Sequence, residues 1–228
     1  MSEKVQAISY ATVEATVMAH PHLLEAAKFK RNGKETGEAK FGAVWVFDPS
    51  SKDLENIKAK AAEAARAKWP GKSLSELQFP FKSGDKEWEK RVAKLKAEGK
   101  EDDGKGDFQK GKVLMKASSK FQPKLSVWLK GQKEPTELTD EGMFRIHGGK
   151  FYFGVKTLFE VNFMPYEPVR EGDKPGITAY VQQVCSINEG ERLAGGRAAS
   201  EVFKGYSGKV SDMDPTAGAS GMEDEISF

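Results

Sequence analysis

The sequence predicts a mainly β protein, a single β-rich domain with one or two added helices. Three observations carry this. Runs rich in β-branched and aromatic residues stand at both ends of the body, Gly, Pro and Asp clusters punctuate them, and one long amphipathic helical pattern lies between them. A closed five-stranded Greek-key barrel of the OB type fits the strand count, and on strand count alone so does a sandwich. With 228 residues the chain is long enough to bury a substantial core. Aromatics at 10%, 14 of them Phe, and a net charge of only +2 exclude wholesale disorder.

Segment 5–24 reads as one or two strands ending at His20-Pro21-His22, and Lys28 to Lys40 as a polar turn region in which Asn32-Gly33 is a hairpin signal. Phe41 to Phe47 is a strand, stopped by Asp48-Pro49. Ser50 and Asp53 have capping-box spacing and open a helix over 52–69. Leu54, Ile57, Ala61, Ala64 and Ala65 form its apolar stripe, and Trp69-Pro70-Gly71 ends it. A weaker helical pattern over 85–97, with Trp88, Val92 and Leu95 in step, runs into a charged loop to Gly106. Strands are expected at 112–121, 124–129, 143–147, 150–163 and 176–187. From about Gly205 the composition becomes that of a linker, giving a domain over 1–205 and a flexible acidic tail over 206–228.

Catalytic signatures fail one by one. Gly71-Lys72-Ser73 resembles the end of a phosphate-binding loop, but the first glycine is replaced by Arg66. Gly104-Lys-Gly106 begins a dinucleotide fingerprint that Gln109 interrupts. Three histidines and one cysteine supply no zinc site of common spacing. His20 and His22 read as structural, and Cys185 as a core thiol. The expectation is a binding protein, not an enzyme, with no cofactor and no metal. One cysteine rules out an intramolecular disulfide framework, no apolar run approaches the roughly 20 residues of a membrane span, and the N-terminus has no signal-like stretch. A cytoplasmic setting is expected, with no membrane partner. Homo-oligomerisation is left open by the sequence.

Alternation along two strands is the feature that points to a partner. Over Lys112 to Phe121 one face carries Val113, Met115, Ala117 and Phe121, the other Lys112, Leu114, Lys116, Ser118 and Lys120. Over Lys150 to Phe163 the core face is Phe151, Phe153, Val155, Phe159, Val161 and Phe163. The opposite face carries Lys150, Tyr152 and Lys156. Lysines that neutralise phosphates, with rings that stack on unpaired bases, are what a single-stranded nucleic acid requires. A solvated sheet face also alternates lysines in this way. Trp45 and Phe47 share a face, with Val44 and Val46 behind them. Phe47 is expected in the core, and Trp45 either in the core or exposed for stacking.

The tail changes sign. Residues 207–228 hold five acidic residues and one basic, net −4, so the body is +6 with 35 basic and 29 acidic. Such a tip can fold back on a basic groove or present a peptide to partners. Glu223-Asp-Glu-Ile-Ser-Phe228 resembles the acidic, Phe-terminated tip of bacterial-type single-stranded DNA-binding proteins, which recruits replication and repair proteins. Ser227 stands where proline is typical. The body resembles a phage family of OB-fold single-stranded DNA-binding proteins, first catalogued as a domain of unknown function. The matching residues are Ala19-His-Pro-His-Leu23, Lys40-Phe-Gly-Ala-Val-Trp-Val-Phe-Asp48, Lys116-Ala-Ser-Ser119 with Pro123, Val161-Asn162 with Tyr166, Gly176 through Val184, and Gly190-Glu-Arg-Leu-Ala-Gly-Gly196.

The resemblance covers roughly residues 15–205. It implies an OB fold that coats single-stranded DNA in phage-type replication, recombination and repair, in the host cytoplasm if phage-encoded. The strand-face argument supplies the expected contacts: Lys112, Lys116, Lys120, Lys150 and Lys156 on phosphates, Tyr152 and Trp45 on bases. Asp224, Glu225, Ile226 and Phe228 are expected to recruit replication and recombination proteins. The alternative is a structural or assembly interaction protein that binds no DNA.

Overall fold

The computed structural model describes residues 7–11, 16–31, 34–102, 104–168 and 172–193. The chain divides into two units, Met1–Ala194 and Gly195–Phe228, and the second lies outside the described residues. In the first unit the strands are β1 (Ile8–Ala11), β2 (Thr16–Arg31), β3 (Lys34–Phe47), β4 (Phe81–Ser83), β5 (Val113–Ser119), β6 (Lys124–Val127), β7 (Thr136–Glu137), β8 (Lys156–Tyr166) and β9 (Gly176–Ser186). The helices are α1 (Lys52–Lys68), α2 (Gly84–Ala97) and α3 (Glu141–His147).

The strand pairings close on themselves. β2 pairs with β3, β3 with β5, β6 in parallel with β9, β9 with β8, and β8 with β2. β5 and β6 are two halves of one strand, bent at residues 120–123, so the circuit has five members. A parallel contact between the third and fifth members, with a helix between the third and fourth, is the OB topology. Here α3 fills that place. The bend exposes Phe121 to 81%, which corrects its expected place on the core face.

Inside the barrel the alternation holds. Ala43, Trp45 and Phe47 of β3 meet Met115 and Ala117 of β5 and Phe159, Val161 and Phe163 of β8. The Trp45 and Phe159 rings are 4.4 Å apart. Fully burying one such side chain stabilises by about 1.5–3 kcal/mol, so these rings anchor the fold. Helix α1 lays Leu54, Ile57, Ala61, Ala64 and Ala65, the stripe read from the sequence, on this core. Its N-cap is Ser51, without a side-chain cap bond, and not the expected capping box. Ser50 instead donates to Asp48, and buried Asp53 accepts from Tyr10 Oη at 2.5 Å.

Three expectations about elements are corrected. β2 does not stop at His20-Pro21-His22 but continues to Arg31, through register shifts after Ala19, His22 and Ala27. It forms with β3 a hairpin arm paired out to Arg31↔Lys34, as Asn32-Gly33 signalled, although positions 32–33 are outside the described residues. Residues 143–147 are helix α3, capped by the Asp140 side chain accepting from Met143 N at 3.0 Å. Residues 150–155 are not strand. Gly148–Lys150 is a single 3-10 turn, and Gly154 has φ +103° with Glu191 O so near that a Cβ would stand 1.8 Å from it.

Candidate nucleic-acid interface

Because Ala43, Trp45, Met115 and Ala117 point into the barrel, their neighbours point out. The register sets Gly42 opposite Ser118, Val44 opposite Lys116, and Val46 opposite Leu114. This outer face of β3 and β5 floors a groove of about 1290 Å³, walled by the β2–β3 arm and lined by Lys28, Lys40, Lys116, His20 and His22 among others. At Gly42 a Cβ would stand 2.4 Å from Ala117 O, so only glycine permits the two strands to approach this closely. Partial burial pushes the Lys116 ammonium below the ordinary lysine range, and the positive charges of Lys82 and Lys40 push in the same direction. Lys28, Lys40 and Lys116 line the groove against the one carboxylate of Glu38, and a net positive lining of this kind attracts a polyanion. At its rim Lys120 and Glu38 form an exposed ion pair at 2.5 Å. The Lys120 hydrogen bond, then its charge, lowers the Glu38 carboxyl.

A second cavity of about 520 Å³ lies at the other end of the same face. Val17, Val46 and Phe108 give it apolar walls, and Lys112, Lys156, Asp48 and Glu191 give it charged ones. Lys112 Nζ bonds Asp48 Oδ2 at 2.8 Å, and that bond, with two from Ser50, pulls the Asp48 carboxyl down to about 2. Asp48 therefore stays ionised at any pH well above 2.

Between the cavities stands an aromatic cluster that the sequence did not reveal. His20 and Phe153 have ring centroids 4.7 Å apart, Phe108 and Phe153 5.1 Å, His20 and Phe108 6.2 Å. Phe108 and Phe153 sit over a small outer cluster of Ala19, Val46 and Leu114. His20 adopts φ +49° in the β2 irregularity, and its imidazole is held below its ordinary pKa by burial first and by His22 second. It presents a neutral aromatic ring at neutral pH. Phe153 was expected on the core face. The 3-10 turn and Gly154 break the alternation and carry it to the outside.

A profile of the family described as Enterobacter phage Enc34, ssDNA-binding protein, matches residues 11–214. The chain belongs to this family. Among solved structures, the fold is similar to the single-stranded DNA-binding protein from bacteriophage Enc34 in complex with ssDNA. That likeness has a TM-score of 0.53 and 15% identity, covering 84% of this chain and 91% of that one. Another solved structure of the same phage protein gives a TM-score of 0.54 at 15% identity, with 87% of this chain and 89% of that one covered. No curated protein matches the chain. At this identity the structural likeness concerns the fold alone.

In this family member the residues expected from strand alternation fall in different places. Lys116 lies in the groove, Lys120 at its rim, and Lys112 and Lys156 line the second cavity. Trp45 is corrected to a core residue: it is fully buried, and its Nε1 donates to Thr157 Oγ1 at 3.0 Å, so no base can reach its face. Lys150 and Tyr152 are not on a strand with Lys156. Lys150 ends the 3-10 turn, and Tyr152 packs partly on the main core. The Tyr152 hydroxyl donates to Gly190 O at 2.9 Å, and Arg192 lies 4.5 Å from its ring centre. Cys185 is half-buried, and burial raises its thiol pKa. Asp224, Glu225, Ile226 and Phe228 lie outside the described residues. Among the described residues there is no group of three or more His, Cys, Asp or Glu placed to hold a metal, and no helix is long and apolar enough to cross a membrane.

Proposed function

We propose that this protein coats single-stranded DNA in phage-type replication, recombination and repair, in the host cytoplasm and without chemistry of its own. The observation that carries the reading is the groove on the outer face of β3 and β5, lined by Lys28, Lys40 and Lys116, where burial and the neighbouring charges of Lys82 and Lys40 both press on the Lys116 ammonium. Phosphate is the partner that relieves such crowding, and membership of a family described by its ssDNA binding supports the choice of polymer. Lys116 is the central phosphate contact. Lys112 and Lys156 continue the track at the second cavity, Lys120 at the rim, and Lys150 with the Tyr152–Arg192 pair at the adjoining corner.

The acidic tip recruits replication and recombination proteins through Asp224, Glu225, Ile226 and Phe228, and it competes with DNA for the basic groove. The test is competition of single-stranded DNA, duplex DNA and RNA for the purified chain, with and without residues 206–228. Single-stranded DNA should win, and the truncated chain should bind it more tightly at low salt. No retention of single-stranded DNA would leave the interaction-protein reading. Equal affinity of the two forms would remove the competing role of the tail.

A further inference from the structure

The charged segment between β4 and β5 has no part in the barrel, yet its described residues are tied to one another and to its base by specific contacts. Helix α2 is capped by Ser83, whose hydroxyl accepts from Lys86 N. Trp88 Nε1 donates to Asp107 Oδ1 at 3.2 Å, and Lys110 lies 4.2 Å from the Trp88 ring centre. Arg91 reaches back to Asp102 at 3.1 Å, and Lys110 to Asp107 at 2.7 Å. At the base, Gly84 N donates to Lys112 O, and Gly111 N to Asp85 Oδ1, both at 2.8 Å. A Cβ at Gly84 would stand 1.9 Å from Gln109 O, so the turn carrying residues 107–109 is pressed onto the start of α2.

What this unit delivers is Phe108. Its half-exposed ring stands with its centre 5.1 Å from that of Phe153, over the outer face of the sheet, and is an aromatic wall of the second cavity. His20, on the same cluster, lines the groove. The three rings thus stand between two cavities, each with lysines on its border. The smaller, at about 520 Å³, falls within the range of small-molecule pockets, about 300–1,000 Å³.

We infer that the α2 segment is part of the DNA-binding surface: Phe108, Phe153 and His20 form a ridge on which bases stack, and the cavity behind it takes one nucleotide. Its base lies against Phe108 and Val46, and its phosphate on Lys112 and Lys156. The inference rests on the proposed binding of single-stranded DNA and adds to it the route of the strand. Lys112 then exchanges Asp48 for a phosphate, an exchange that leaves both groups charged.

Phe108 also covers apolar surface, and the test separates cover from stacking. Phe108→Leu keeps an apolar side chain of similar volume and removes the ring. Phe108→Tyr keeps the ring. Titrating poly(dT) into the full chain, F108L should bind about tenfold more weakly with an unfolding midpoint near that of the wild type, the loss expected for one stacked base. F108Y should bind as the wild type does. If F108L binds like the wild type while Lys116→Met weakens binding, the ridge has no role and the groove stands alone. If the unaltered chain does not retain poly(dT), the proposed function itself fails. Photo-crosslinking of iodouridine-substituted single-stranded DNA to the unaltered chain gives a reading independent of any variant's folding. Adducts at Phe108, Phe153 or His20 are expected, and adducts confined to other positions would overturn the inference.

Discussion

The Lys116 ammonium is less well stabilised in the fold than it is in water. Its pKa in the fold lies below the ordinary lysine value, because of burial first and the charges of Lys82 and Lys40 second. For a lysine with a lowered folded pKa, the charged form destabilises the fold at every pH below that value. The cost is relieved only as pH rises through the lysine range. Lys116→Met, which keeps an unbranched apolar stem, should therefore raise the thermal midpoint at neutral pH and let the gain fade in alkali. A fall in the midpoint at neutral pH would show that the ammonium is better accommodated than the crowding implies. Trp45 illustrates the limit of reading single residues. Alternation placed it on a face, but which face was interior depended on β5 and β8 closing over it, and no local pattern carries that.

At the scale of elements, local periodicity was a good guide where runs were long and a poor one where they were short. The stripe of α1 was legible because it repeats over several turns. Met143 to His147 was misread because five residues do not separate a period of 2 from one of 3.6; the decisive signal was Asp140 as a cap. Phe153 was missed because the alternation assumed across 150–155 is broken by a glycine whose conformation serves contact with Glu191. The pairing of β3 with β5 is a further consequence of one small residue. Gly42→Ala puts a methyl against the Ala117 carbonyl and should cost about 1–3 kcal/mol, read as a midpoint lower by several degrees. An unchanged midpoint would mean the two strands can part here without loss.

For the molecule as a whole, the five-membered circuit was legible as a count of strands. Its closure was not, because it depends on β5 and β6 being one strand bent at Phe121, a residue the pattern placed inside. Charge was legible in sum and in distribution: +2 overall divides into +6 before residue 207 and −4 after it. The gathering of lysines around the β3–β5 face required the fold, since Lys40, Lys82 and Lys116 come from three separate strands. The role proposed for this face is to hold the phosphates of single-stranded DNA. It is tested most directly by measuring poly(dT) affinity of the full chain and of Lys116→Met across a series of salt concentrations. Affinity should fall linearly on logarithmic axes, with the variant weaker at every salt concentration and its slope shallower by about 0.7, the value for one phosphate contact on a single strand. Affinity that does not respond to salt, or a variant with the same affinity and slope as the unaltered chain, would contradict it.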